Sequence, residues 1–251
     1  MPEQWIVDRL ATGIASIELE LHVQSVIEIE TGTAVGAESF IRWRDAVHGF
    51  VPAMSWMPYA EATGALVDHA LHLLPRWTSL AAMGVVSFNV SGQLLLDERL
   101  TTALFEVPPG TAAGLALEVP YLQFSVADAV RIAPEWPWTE PDDLDTMLEA
   151  LRSHGYSIWL DDYDGALEDD HCLSLDAIDV VKFDRSLLAS GASALAEINT
   201  RVRSHGKRTL MEGIETPAHE DAARAAGVQL AQGFLYGAPT PSVANHNASA
   251  Q

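Results

Sequence analysis

The sequence predicts an α/β fold closed into an eight-stranded barrel with one antiparallel strand pair, and three observations carry that expectation. Short runs with the composition of buried strands alternate with helix-length amphipathic stretches. Eight such runs occur in a chain of 251 residues, a length that suits one large α/β domain. The first two are joined only by Glu30-Thr31-Gly32-Thr33, a link too short for a parallel crossover and suited to a hairpin.

The elements follow in order. The hairpin strands are predicted over 17–29 and 34–43, and a helix over Leu66 to Leu74 on the spacing of Leu71, Leu73 and Leu74. Trp77 to Leu96 is uncharged for 20 residues, yet Thr78, Ser79, Ser87, Asn89, Ser91 and Gln93 interrupt it. It reads as a helix running into a buried strand, not as a membrane span. Strands are then expected at 85–91, 115–119, 156–162, 178–184, 207–212 and 229–234. Between them, 142–154 is helical on Leu144, Met147, Leu148 and Leu151. Residues 217–226 are helical as well, with Thr216 as cap and Pro217 at the first position. Three prolines make Ala133 to Pro141 a surface connection. The domain expectation is a lead-in over 1–16, a barrel over 17–241 and a disordered tail over 242–251.

Composition narrows the function. With 35 acidic against 14 basic residues the formal charge is −21, which excludes a basic groove along a nucleic-acid polymer. At 48% hydrophobic and 20% charged the chain is not disordered. Cys172 is the one cysteine, so neither an intrachain disulfide nor a multi-cysteine zinc site is available. Glu3 and Asp8 flank the first apolar stretch, and no export signal is read there; the expected location is cytoplasmic, with no membrane partner. His69 and His72 are expected to be a surface pair.

The chemistry lies at the predicted C-terminal strand ends: Glu38, Asn89, Glu118, Asp161 with Asp162, Lys182, Glu212 and Gln232. A parallel barrel brings those ends to one face, where active sites of this architecture are built. Singly, each has an ordinary structural role. Together they crowd acidic groups on one face, a cost that hard divalent cations offset. Oxygen ligands without His or Cys favour Mg²⁺ or Mn²⁺. Adjacent aspartates on a regular strand point to opposite faces, so Asp161 and Asp162 are expected where the strand is ending.

In these residues the chain resembles the EAL domain family, the cyclic-di-GMP phosphodiesterases of bacterial signalling. Gly36-Ala37-Glu38-Ser39-Phe40-Ile41-Arg42-Trp43 resembles the naming motif, with Ser39-Phe40 in place of Ala-Leu. Ser87-Phe88-Asn89-Val90-Ser91, Leu160-Asp161-Asp162-Tyr163, Val181-Lys182-Phe183-Asp184-Arg185-Ser186, Glu212-Gly213-Ile214-Glu215-Thr216 and Ala231-Gln232-Gly233-Phe234 follow in the family's order. The resemblance implies a modified TIM (β/α)8 barrel with an antiparallel first strand, and hydrolysis of cyclic di-GMP to linear pGpG. It implies one metal held by Glu38, Asn89, Glu118 and Asp161, and a second by Asp161 with Asp162. Lys182 would polarise the attacking water and Glu212 would stand beside it. Gln24, Arg42 and Gln232 would contact the nucleotide or the metal site, and Glu215 would support the loop. A homodimer and a protein partner are further expectations. The rival reading is a catalytically silent cyclic-di-GMP receptor or interaction module.

Two departures from the family pattern predict slow turnover. After Glu118 the family reads Ile-Thr-Glu and this chain reads Val119-Pro120-Tyr121. The loop Asp-Asp-Phe-Gly-Thr-Gly-Tyr-Ser-Ser becomes Asp161-Asp162-Tyr163-Asp164-Gly165-Ala166-Leu167-Glu168-Asp169. Restoring the pattern by Tyr121→Glu, Asp164→Gly, Gly165→Thr and Ala166→Gly is expected to raise activity.

Overall fold

The computed structural model describes residues 3–14, 18–120, 141–165 and 170–243. Ile17, Tyr121, the connection before Pro141, the loop residues 166–169 and the tail beyond Val243 lie outside the described residues.

Ten strands are described: β1 (Leu19–Glu28), β2 (Thr33–Asp45), β3 (Gly49–Val51), β4 (Val85–Asn89), β5 (Leu115–Pro120), β6 (Ser157–Tyr163), β7 (Val180–Phe183), β8 (Arg208–Met211), β9 (Leu230–Ala231) and β10 (Thr240–Pro241). β2 pairs parallel with β4, and the parallel order runs on through β5, β6, β7 and β8 to β9. β1 closes the barrel, antiparallel to β2 on one side and to β9 on the other. All eight expected strands are barrel strands, and the hairpin is the antiparallel pair. β3 and β10, of three and two residues, are additions at the rim that the sequence pattern did not announce.

Helices cover the outside. Ala65–Ala81 buries Leu66, Leu73, Leu74, Trp77 and Leu80 against the barrel, and Trp77 stacks on Phe88 of β4 at 4.1 Å while its Nε1 donates to Ser39 Oγ. Pro141–His154 and Pro217–Ala225 match the expected helices, and the Thr216 side chain caps the latter by accepting from the His219 N–H. The lead-in holds a helix of its own, Gln4–Thr12, which buries Ile6 and Leu10 and sets Trp5 5.5 Å from Trp43.

Inside the barrel, Val26, Ala116, Trp159, Val180, Leu210 and Leu230 form a separate apolar cluster with Val85 against it. It is the floor of the site. Side chains two apart on a strand share a face, so the residues above this floor are Gln24, Ser87, Glu118, Asp161, Lys182, Glu212 and Gln232, with Glu38 on β2 in line with them.

Candidate functional site

That polar layer draws on all eight barrel strands. Register explains its level: Gln24 lies opposite Glu38, Glu38 beside Ser87, and Asn89 beside Glu118. Glu212 follows β8 directly, with its N–H bonded to the Phe183 carbonyl. Gln232 is set by the Gly233 turn: a Cβ on Gly233, at φ +156, would stand 2.2 Å from the Ile214 carbonyl oxygen, so the backbones approach as closely as they do only because no side chain intervenes.

Lys182 is the hub. Its Nζ lies 2.6 Å from Glu118, 2.8 Å from Asp161, 2.9 Å from Glu212 and 3.3 Å from Glu38. Lys182 and Glu118 are both wholly buried. Burial alone would lower the Lys182 pKa, but Asp161, Glu118, Glu38 and Glu212 outweigh it and raise the pKa well above the ordinary lysine value. The lysine is therefore charged at neutral pH. Burial, then Glu38, raises Glu118 well above the usual carboxylate range. Burial also raises Asp162, with Asp161 adding to the effect, and pushes Glu212 up to about 7 against the pull of Lys182.

Asp161 and Asp162 meet by a different device from the one expected. β6 does not end at them: regular pairing with β7 stops after Leu160 and resumes at Tyr163 opposite Phe183. The shift between is a β-bulge, with Asp162 at φ 57, the one non-glycine residue with positive φ among the described residues. The extra residue breaks the strict alternation, and both aspartates turn toward the same centre. Carboxylate oxygens of Asp161, Asp162 and Glu212 all lie within 4.8 Å of one another.

The remaining expected residues divide. Asn89 donates to Glu38 Oε1 at 3.1 Å. Gln232 Nε2 donates to Glu38 Oε2 and to Gln24 Oε1, while Gln24 Nε2 donates to the Gly237 carbonyl. The two glutamines thus brace Glu38 in a buried chain. Arg42 shares the face of Glu38 two pleats further on, about 13 Å along the strand, at the mouth, half-buried with its guanidinium over Phe40. Glu215 is exposed and makes no side-chain hydrogen bond to described residues; its backbone N–H donates to His219 Nδ1. His69 and His72 are not the expected surface pair, since His69 is buried.

The loop contains a further correction. Gly165 adopts φ +84, and a Cβ there would lie 2.7 Å from Ile198 Cδ1. Gly165→Thr would put a β-branched residue into left-handed backbone, so the expected repair does not suit this loop. Sequence reasoning also passed over Arg201, whose Nη2 donates to the Tyr163 hydroxyl and to the Gly165 carbonyl, each at 2.7 Å. No local spacing links positions so far apart.

The donor set fits divalent cations. An ammonium has three protons and faces four carboxylates, and Glu118 Oε1 is buried with no hydrogen-bond partner. Five carboxylates, Glu38, Glu118, Asp161, Asp162 and Glu212, against one lysine give a formal 1 − 5 = −4, which two divalent ions neutralise. Glu38, Asn89, Glu118 and Asp161 could hold one, and Asp161, Asp162 and Glu212 the other.

The family model for the EAL domain matches residues 7–239. The chain belongs to the EAL domain family. Among curated relatives, the probable cyclic di-GMP phosphodiesterase PdeB of Escherichia coli K12 is 24% identical over 248 residues, covering 93% of this chain and 45% of the relative. MucR of Pseudomonas aeruginosa, described as a bifunctional diguanylate cyclase/cyclic di-GMP phosphodiesterase, is 24% identical over 238 residues, 90% of this chain and 33% of its own length. The chain thus spans less than half of these relatives. A solved PaMucR phosphodiesterase in complex with c-di-GMP superposes with TM-score 0.80 at 22% identity, covering 95% of this chain and 98% of that one. Klebsiella pneumoniae BlrP1, solved as a manganese and cyclic-di-GMP complex, gives 0.70 at 17% identity over 89% of this chain and 56% of its own. At these identities the structures establish the fold, the modified TIM barrel of EAL domains. No helix among the described residues is long and apolar enough to cross a membrane.

Proposed function

We propose that this EAL domain is a cyclic-di-GMP phosphodiesterase, hydrolysing one phosphodiester to give linear pGpG with Mg²⁺ or Mn²⁺. The observation that carries the reading is Lys182 Nζ within 3.3 Å of four carboxylates from four strands, beside a bulge that turns two adjacent aspartates to one centre. An ammonium held charged within an excess of acid serves a reaction in which negative charge grows on phosphoryl oxygens.

Divalent cations bound by this set would supply charge neutralisation and an activated water at neutral pH. The chain's own groups do the rest. With the carboxylates drawn to cations, Lys182 would donate to the attacking water and steady the charge that develops on the phosphoryl oxygens. Glu212, whose pKa is about 7 before any cation binds, is suited to accept a proton from that water. Arg42, at the mouth, offers a guanidinium to the second phosphate. Gln24 and Gln232 hold Glu38 in place and line the nucleotide side. The oxygen of water adds to phosphorus, the bond to one sugar oxygen breaks, and that oxygen takes the proton.

Incubation of the purified chain with cyclic di-GMP and Mn²⁺, followed by chromatography, tests the reading. Slow formation of pGpG that stops with EDTA is expected. Absence of pGpG at high protein concentration with nucleotide bound would favour the receptor over the enzyme.

A further inference from the structure

We propose that Arg201 is a positioning residue that locks the Asp161–Asp162 bulge in its cation-binding form through Tyr163 and Gly165. The inference rests on the reading of these aspartates as cation ligands and deepens it.

The sheet flanks the bulge on both sides, at Leu160 opposite Val181 and at Tyr163 opposite Phe183, and gives Asp161 and Asp162 between them no registered partner on β7. Up to Leu160, β6 pairs in register with β7. Beyond it, Asp162 sits at φ 57, a conformation that costs a residue with a Cβ about 1–2 kcal/mol and persists only where its surroundings impose it. On the far side, two successive anchors face the helix Ala192–Ser204. The Tyr163 ring is wholly buried, and its hydroxyl oxygen accepts a hydrogen bond from Arg201 Nη2 at 2.7 Å. The same nitrogen reaches the Gly165 carbonyl at 2.7 Å, and Gly165 lies flat against Ile198 of that helix. One guanidinium therefore pins the chain one and three residues after Asp162.

The pin depends on the Tyr163 hydroxyl. The family motif has phenylalanine where Tyr163 stands, and a phenyl ring offers the guanidinium no hydroxyl. Charge-assisted bonds to a hydroxyl and a carbonyl are stronger than neutral ones, and groups that orient metal ligands from behind typically set affinity by about 10–100-fold. Arg201 bonds to Tyr163 and Gly165, which follow the two aspartates in the chain. It acts by fixing where the two carboxylates stand.

The test is Mn²⁺ binding followed by electron paramagnetic resonance of the free ion, with thermal unfolding alongside. Arg201→Ala is expected to weaken binding of the more weakly held Mn²⁺ by at least about tenfold. Tyr163→Phe should weaken it less. Arg201→Lys should recover much of the loss, because one nitrogen makes both bonds. A merely structural arginine would lower the melting temperature and leave the Mn²⁺ affinity of the folded protein unchanged; that result overturns the inference. If Arg201→Ala does not fold, Tyr163→Phe decides, since it removes one hydroxyl and keeps the ring, and unaltered affinity there overturns the inference equally. Wild-type protein that binds no Mn²⁺ would overturn both the cation reading and this one. Wild type that binds Mn²⁺ without hydrolysing cyclic di-GMP would sink the proposed activity alone.

Discussion

Lys182 Nζ and Glu118 Oε2 stand 2.6 Å apart with both residues sealed from solvent. A pair so buried is costly to form and more costly to break, because removing one partner strands the other's charge. Lys182→Met is therefore expected to destabilise the cation-free protein by at least about 2 kcal/mol, roughly 4–8 °C in melting temperature. Excess Mn²⁺ should narrow the gap. Turnover should fall at least about a hundredfold while cyclic-di-GMP affinity changes only a few-fold, since the ammonium acts on water and on developing charge. Calorimetry and single-turnover assays check both, and undiminished turnover removes Lys182 from the mechanism.

The acid excess around that lysine should make the fold itself responsive to cations. With Mg²⁺ or Mn²⁺ at about a hundred times its dissociation constant, linkage contributes about 2.7 kcal/mol, so the melting temperature should rise by about 5–10 °C over an EDTA-treated sample. Asp161→Asn, at the carboxylate shared by both proposed cation sites, should lose most of the rise. An equal rise in the variant would assign the effect to surface carboxylates.

Glu212 sets the pH dependence. Its pKa is raised from 4.5 to about 7, first by burial. A group raised in this way contributes stability that is complete below its ordinary value and is lost as pH climbs through about 7. Cation-free protein should thus lose this contribution between about pH 4.5 and 7. Cation binding in the same window should release protons, because the carboxylate must ionise to serve as a ligand. Titration calorimetry in buffers of different ionisation enthalpy should find more protons released at pH 6 than at pH 8. Equal release at both would show that Glu212 does not engage the cation.

These side chains differ in how far the sequence announced them. Glu118, Lys182, Glu212 and Gln232 were legible because each stands at or next to the end of a short apolar run, where a barrel strand delivers its last inward residue, whereas Glu38, in mid-strand on β2, was legible from the motif around it. In the structure Val180 lies beneath Lys182 and Leu210 beneath Glu212, which is strand alternation and nothing more. The bulge was not legible: an aspartate at positive φ leaves no mark in composition, and the adjacent pair suggested a strand end instead. Arg201 was hidden for another reason. It acts across 38 positions on a hydroxyl, and only the packing of its helix on the barrel beside β8 brings the two together. The rim strands β3 and β10 are too short to show a period at all.

Gly165 is the sharpest test of how the loop is built. Two separate obstacles oppose any larger residue there: a backbone at φ +84, and Ile198 Cδ1 2.7 Å from where a Cβ would stand. Gly165→Ala is expected to cost about 2–3 kcal/mol, part from left-handed backbone and part from the clash. Ile198→Ala removes the clash and leaves the backbone cost. In a double-mutant cycle the paired variant should therefore be less destabilised than the sum of the single ones, by about 1 kcal/mol. Additive effects would mean that the loop shifts away from Ile198 without resistance. In that case the backbone at φ +84 is the one remaining obstacle to Gly165→Thr. If the coupling is found, repair must leave Gly165 untouched and act elsewhere, because a threonine would dislodge the carbonyl that Arg201 holds and loosen the aspartates the repair is meant to steady.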